Sequence, residues 1–167
     1  MIDKNGIEFE FTLYIPSGNP LRTYASTIIK NNLNAVGINI TVESLEMGAL
    51  IDKLFAKSID AWMLAWYVSI PIELKVLWYS DMQYGAYNFV SYQNIEADNI
   101  IDELAKNSTM DKKKELYFKF QEIMHEDQPL TFMYWTSNVV GINETLRNTG
   151  IGPYGAVTHC WEWSIEN

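Results

Sequence analysis

The sequence predicts an α/β fold, a central and mostly parallel sheet flanked by helices. Three observations carry this reading. The first 67 residues run strand, helix, strand, helix, strand with short connections, a pattern that gives parallel pairing and right-handed crossovers. Residues 59–67, IDAWMLAWY, are almost continuously apolar, as suits a strand covered on both faces. The second half adds two amphipathic helical segments.

Each element follows from local chemistry. Phe9, Phe11, Leu13 and Ile15 alternate with Glu8, Glu10, Thr12 and Tyr14, a half-buried strand. Pro16 to Pro20 form a turn, with Asn19 placed to cap a helix and Pro20 at its first position. Leu21, Ala25, Ile28, Ile29, Leu33 and Val36 keep helical spacing, and Gly37 sits where a helix end wants a positive φ. Ile38, Ile40 and Val42 mark a second strand. Ser44 is placed to cap a helix carrying Leu45, Ala49, Leu50 and Leu54. Residues 72–92 mix rings with turn residues and give no firm assignment. Asn94 can cap a helix bearing Ala97, Ile100, Ile101 and Leu104. Asp111 opens another, with Leu116, Tyr117, Phe120, Ile123 and Met124 on one face. Pro129 ends it, Leu130 to Trp135 reads as a strand, and Trp161-Glu162-Trp163 reads as a short strand near the end.

Composition narrows the function. The 167 residues suit one domain, and 48% hydrophobic content supports a sizeable core. Six Trp, ten Tyr and seven Phe are rich enough that some rings should line a surface. The net charge of −9, with Lys112-Lys113-Lys114 the only basic run, argues against nucleic acid and anionic membrane as partners. The single cysteine, Cys160, permits no internal disulfide. No apolar run approaches the roughly 18 residues of a membrane span. Met1 to Gly6 are polar and short, not a signal peptide, which implies either a cytosolic protein or a piece of a longer one.

Chemistry-bearing motifs are sparse. There is no G-x-S-x-G, no H-E-x-x-H and no Gly-rich phosphate loop, so no enzyme activity is expected. Glu122, His125 and Glu126 have metal-ligand spacing, but they lie opposite Phe120 and Met124 on the wet side of their helix. His159 and Cys160 are adjacent, a poor spacing for chelation. No cofactor is expected. Trp66 and Tyr67 stand out instead. Strands of open α/β sheets deliver ligand contacts at their carboxyl ends, and two large rings there suggest a grip by shape and stacking. Alternation puts Trp62 and Trp66 on one face of that strand and Tyr67 on the other. The bland alternative is that all three are core.

Several stretches together resemble the C-terminal lobe of the family 5 extracellular solute-binding proteins of ABC transporters (peptide, oligopeptide, nickel and some sugar binders). They are Phe11-Thr12-Leu13-Tyr14 with Asn19 and Arg22; Leu33 to Ile40; Ile59-Asp60-Ala61 through Trp66; Asn88 to Tyr92 followed by Ile100-Ile101-Asp102; and Leu116-Tyr117, Gln121 to Met124, then Gln128 to Phe132. The resemblance implies a periplasmic-binding-protein-like lobe over residues 1–144 and a return segment over 145–167 towards a second lobe. It implies a fragment, which would account for the missing signal peptide. It also implies a protein outside the cytoplasm, membrane-anchored when complete, that captures a peptide or other small solute between its lobes and delivers it to a membrane permease. By the same resemblance Trp66, Tyr67, Ser69, Asn88, Tyr92, Trp78 and Tyr84 are the candidate ligand contacts. Relatives that bind peptides carry an acid shortly after a Gly-Trp pair to hold the ligand's amine. Here Ala65 replaces that glycine and Ser69 that acid. Either Glu73 substitutes or the ligand brings no amine there, so an uncharged oligosaccharide competes with a peptide. A ring-rich lobe face could also pair with a copy of itself. The reading from another class is a freestanding α/β protein-interaction module.

Overall fold

The computed structural model describes residues 6, 8–67, 72–106, 109–137, 139–150, 152, 155, 157 and 159–166. Strand β1 (Glu10–Pro16) leads through helix α1 (Pro20–Ala35) to β2 (Asn39–Leu45), then through α2 (Met47–Phe55) to β3 (Ala61–Trp62). Three more helices follow: α3 (Lys75–Trp78), α4 (Ile95–Leu104) and α5 (Met110–Asp127). A short antiparallel pair, β4 (Leu146–Arg147) with β5 (Ser164–Ile165), comes last. Among the described residues no helix is long and apolar enough to cross a membrane.

The sheet has the order β2-β1-β3 and is parallel throughout. Alternation along β1 divides its side chains between two cores. Leu13 and Ile15 pack with Ile38, Ile40 and Met63 under Ala25, Ile29 and Leu33 of α1. Tyr14 packs on the opposite face, with Leu50 and Leu54 of α2, Ile59 and Phe89. Full burial of Leu50 and Leu54 contributes about 2 kcal/mol each. With α1 and α2 on opposite faces, the strand order reverses between β1 and β3. Ligands in such sheets sit beyond the carboxyl ends of the strands at that reversal.

Helix α1 forms as its sequence dictates. The Asn19 side chain accepts from the Arg22 N–H at 3.0 Å, and Pro20 fills the first turn, where its missing N–H costs nothing. Gly37 takes φ +79° just past the helix end. The strand β3 is shorter than the apolar run suggests: only Ala61 and Trp62 join the ladder. The Tyr14 carbonyl accepts from the Met63 N–H at 2.9 Å, so residues 14 and 16 both turn their backbone groups towards β3. Pro16 has no N–H to continue that ladder. Met63 is still buried, but by packing.

Other boundaries also move. Ser44 stays in β2, and the α2 cap is Glu46, whose carboxylate accepts from the N–H groups of Gly48 and Ala49. Helix α5 starts one residue before Asp111, capped by Thr109. Its far end is closed by Gln128 in the left-handed region, ahead of Pro129. Residues 131–135 form no strand; they run exposed, without a ladder partner among the described residues. Cys160–Glu162 is a 3₁₀ turn, and the strand falls at Ser164–Ile165 instead of on Trp161 to Trp163.

A third core joins α3, α4 and α5. Trp78, Ala97, Ile100, Ile101, Leu116, Phe120 and Met124 form it. The loop 79–92 is the seam between this helical core and the sheet, and Asn88 ties it down. Asn88 is 1% exposed. Its amide donates to the carbonyls of Tyr79 (3.1 Å) and Tyr92 (2.8 Å), and its oxygen accepts from the Tyr92 N–H at 2.9 Å. At Gly85 a Cβ would stand 2.2 Å from the Tyr79 carbonyl oxygen, so the loop closes this tightly only with glycine there. From the sheet side, Lys57 donates its amine to the carbonyls of Asn88 and Phe89, each at 2.9 Å. Lys57 itself has φ +52°, two residues beyond the end of α2, and desolvation lowers its pKa from the ordinary lysine value.

A second tie fixes α3 on α4. Lys75 pairs with Asp102 at 2.7 Å, and the Tyr79 hydroxyl donates to the other Asp102 oxygen at 2.7 Å. The Lys75 amine also lies over the rings of Tyr79 (4.2 Å) and Tyr84 (4.9 Å). The hydrogen bonds from Lys75 and then Tyr79 hold Asp102 below the ordinary 3.8, and its bond to Asp102 raises Lys75 above 10.5. Asp98, buried in the first turn of α4, accepts from the Ser80 N–H at 3.0 Å, and Ser80 accepts from the Asn94 N–H at 3.1 Å.

Asn88→Ala should lower stability by about 3 kcal/mol, because it leaves three buried backbone groups unpaired; urea denaturation measures this, and a loss under about 1 kcal/mol would contradict the seam. Asp102→Asn should lower the melting temperature at neutral pH, with the gap to the parent narrowing at both extremes. The Asp102 contribution is fully present above 3.8 and fades as pH falls through its lowered folded value. The Lys75 contribution is fully present below 10.5 and fades as pH rises through its raised folded value. A gap that does not change between acid and neutral pH would remove the charged tie from the account.

Candidate functional site

Beyond the carboxyl end of β3 the chain presents a wall of rings. Trp66 stacks on Phe89 with centroids 5.9 Å apart and planes 20° from parallel. Tyr87 lies 5.9 Å from Trp66, and Phe55, from the end of α2, meets Phe89 edge-on at 5.2 Å. Phe89 is buried, while Trp66 is 41% exposed, Tyr87 44% and Phe55 52%. One ring thus anchors the cluster in the α2 core, and three offer faces or edges to solvent. Phe89 and Tyr87 are held by the stitched loop, so the platform is fixed before any ligand arrives, which cuts the ordering cost of binding.

Among the described residues the wall has one side only. The concavity between Trp62, Trp66, Trp78, Tyr87, Phe89 and Leu130 measures about 20 Å³. That admits a water-sized molecule, far short of the several hundred Å³ of a ligand pocket. A second, wide-open depression of about 470 Å³ lies over Gly18, Asn19, Pro20, Thr23, Tyr24 and Thr27. It lies where β1 gives way to α1, again at the carboxyl edge of the sheet. Both surfaces would grip firmly only with a facing wall.

The sequence-derived candidates divide by position. Trp66 joins the wall, and Tyr67 beside it is fully exposed. Tyr84 is exposed and meets Tyr79 edge-on at 5.8 Å. Trp78 is buried in the helical core, with Tyr92 edge-on to it at 6.3 Å. Asn88 is buried with its amide engaged by backbone, so in this conformation it offers no free group outward. Tyr92 donates its hydroxyl to Asp127, which also accepts from the Asn94 side chain at 2.8 Å. Burial first, then that bond, raises the Tyr92 pKa, and the two donors lower Asp127. Ser69 lies outside the described residues. Reading the sequence missed Phe55, Tyr87 and Phe89 as the partners of Trp66. For Phe55 a signal existed: it follows the buried Leu54 directly and falls off the apolar stripe of α2.

Among the described residues no three His, Cys, Asp or Glu side chains are placed to hold a metal ion. Glu122, His125 and Glu126 are all exposed. His159 contacts Glu162 at 3.3 Å on an exposed turn, beside an exposed Cys160.

Comparison with known proteins gives a consistent picture. No protein-family model matches the chain. The oligopeptide-binding protein AppA of Bacillus subtilis is 26% identical over 166 residues, which is 98% of this chain and 30% of that protein. The solved structure of AppA in complex with a nonapeptide superposes with a TM-score of 0.81 at 25% identity, covering 99% of this chain and 33% of that one. Two more distant structures share the fold. Helicobacter pylori DppA, a periplasmic binding protein in complex with the peptide STSA, gives a TM-score of 0.64 at 23% identity over 73% of this chain and 24% of its own. Campylobacter jejuni NikZ in complex with Ni(L-His) gives 0.68 at 20% identity over 97% and 34%. The chain thus spans about a third of the length of the curated relative it matches, and AppA and DppA are binding proteins by name. The chain has the fold of a periplasmic-binding-protein lobe, and over nearly all its length it is similar to the family 5 solute-binding proteins of ABC transporters.

Proposed function

We propose that this chain is the C-terminal lobe of an ABC-transporter substrate-binding protein that captures an oligopeptide for import. The observation that carries the reading is the one-sided aromatic wall at the sheet reversal, where ligands of open α/β sheets bind. Residues 1–144 form the lobe, and 145–167 run back towards a second lobe that supplies the facing wall. Hinge closure over the ligand stabilises the closed form, which a membrane permease then recognises. The complete protein works outside the cytoplasm, tethered to the membrane. No reaction and no cofactor belong to this function. Trp66 and Tyr67 are the foremost ligand contacts. Tyr84 lies on the accessible surface. Trp78, Asn88 and Tyr92 act mainly by holding the loop, and Ser69 follows the exposed rings in sequence. The likeness to AppA, whose structure holds a nonapeptide, favours peptide over sugar.

Calorimetric titration of a nonapeptide and of a neutral oligosaccharide tests the proposal. The isolated chain should bind the nonapeptide weaker than about 1 μM, because half the desolvating surface is missing. The complete polypeptide should bind it more tightly, and Trp66→Ala there should cost about tenfold or more in affinity. A complete polypeptide that takes only the oligosaccharide would replace the ligand class, and one that takes neither would remove the receptor reading.

A further inference from the structure

Helices α1 and α2 close in the same way, with one difference. Past α1, the Gly37 N–H donates to the Asn34 carbonyl and the Ile38 N–H to the Leu33 carbonyl, each at 3.0 Å, with Gly37 at φ +79°. Past α2, the Lys57 N–H donates to the Leu54 carbonyl and the Ser58 N–H to the Lys53 carbonyl, each at 3.1 Å, with Lys57 at φ +52°. This closure needs a left-handed residue, and glycine is its usual occupant because a Cβ is strained there. Helix α1 follows that rule. Helix α2 carries a lysine instead and partly desolvates its amine, which lowers its pKa. Gln128 at the end of α5 is also left-handed, but its side chain turns back on its own helix, donating to the His125 carbonyl at 2.6 Å. The Lys57 amine reaches the carbonyls of Asn88 and Phe89. Among the described residues these two are the only hydrogen bonds between the loop 79–92 and residues 8–67. The Asn88 carbonyl also accepts from the Ser91 N–H at 3.1 Å, whereas the Phe89 carbonyl has no other donor among the described residues.

We propose that Lys57 is a positioning residue for ligand recognition, its amine setting where the rings of Phe89, Tyr87 and Trp66 stand. This rests on the receptor reading above. The wall is assembled from two stretches distant in sequence: Trp66 follows the sheet, and Tyr87 and Phe89 come from the loop. Ring packing draws the two together, but apolar attraction is non-directional and lets surfaces slide. Hydrogen bonds to two successive carbonyls hold only within a narrow range of distance and angle, so they fix the loop against the end of α2. Asn88 cannot do this, since its three side-chain bonds run to Tyr79 and Tyr92, at the loop's own ends. Phe55, two residues before Lys57, adds the apolar half of the grip, with its ring 5.9 Å from Tyr87 and 5.2 Å from Phe89. A binding surface loses its fit when its groups stand about 1 Å out of place, so a lysine that touches only backbone controls what the rings can hold.

Two variants of the complete polypeptide separate this role from plain stability. Lys57→Gly removes the amine and relieves the backbone; Lys57→Met removes the amine and keeps the left-handed strain. The melting temperature of Lys57→Gly should therefore exceed that of Lys57→Met. Both should nonetheless bind a nonapeptide about tenfold or more weakly than the parent, and within about twofold of each other. Without ligand, the indole N–H resonance of Trp66 should be displaced in both variants, because the Phe89 ring beneath it moves. Affinity that follows the melting temperature, kept by Lys57→Gly and lost by Lys57→Met, overturns the inference, as does parental affinity in both. If the complete polypeptide takes no nonapeptide, the receptor reading falls and the ligand-free Trp66 resonance decides alone. Displaced in both variants, it leaves the placement of the rings by Lys57 standing; unmoved in either, it overturns it.

Discussion

The position of every ring on the open face follows from how the loop between α3 and α4 is tied down. Asn88 bridges the backbone at Tyr79 and Tyr92 from inside, and Lys57 grips the carbonyls of Asn88 and Phe89 from the sheet side. An asparagine can do this because one planar amide donates twice and accepts once within a few ångströms. A lysine can reach across because its amine is a compact triple donor on a long stem. Together they join two hydrophobic cores that otherwise share little. Trp78 and Tyr92 belong to the helical side, Phe89 to the sheet side, and Trp66 and Tyr87 rest on Phe89.

That arrangement suits recognition by one half of a clamp. A rigid aromatic surface contributes area and shape without chain entropy. It cannot by itself exclude water from a ligand. Among the described residues, neither the small concavity beside Trp66 nor the shallow depression over α1 has an opposing surface. The chemistry of the wall is apolar with few charges, which fits ligands whose ends or side chains are read elsewhere. Glu73 is exposed on the far side of the undescribed stretch, the nearest acid downstream of the rings.

Much of the fold was legible because it is locally encoded. Alternation in residues 8–15, the Asn19-Pro20 start, Gly37 and the Asn94 cap each specify their geometry within a few residues. What failed to show depends on partners distant in sequence. The apolar run 59–67 looked like one long strand. Its ladder stops after Trp62 because Pro16, more than forty residues earlier, withholds an N–H. Ser44 looked like a cap until its pairing with Ile15 kept it in the sheet. The strand expected at residues 130–135 has the right composition and no ladder partner among the described residues. Of the site, Trp66 and Tyr67 are expected at a strand end, but β3 stops at Trp62 and both rings lie beyond it, Trp66 against Phe89 and Tyr67 exposed. Asn88 stands in a stretch marked by resemblance, whereas its burial and three bonds depend on Tyr79, Tyr92 and the turn at Gly85. Phe55, Tyr87 and Phe89 come from three places and meet only in space.

The central claim is that the rings around Trp66 form the ligand-facing surface. The most direct measurement is the indole N–H resonance of Trp66, followed by NMR as a nonapeptide is titrated into the complete polypeptide. The account predicts that the Trp66 signal, with ring signals of Tyr87, moves in step with saturation while that of the exposed Trp161 stays fixed. Saturation of the protein with the Trp66 signal unmoved would contradict it.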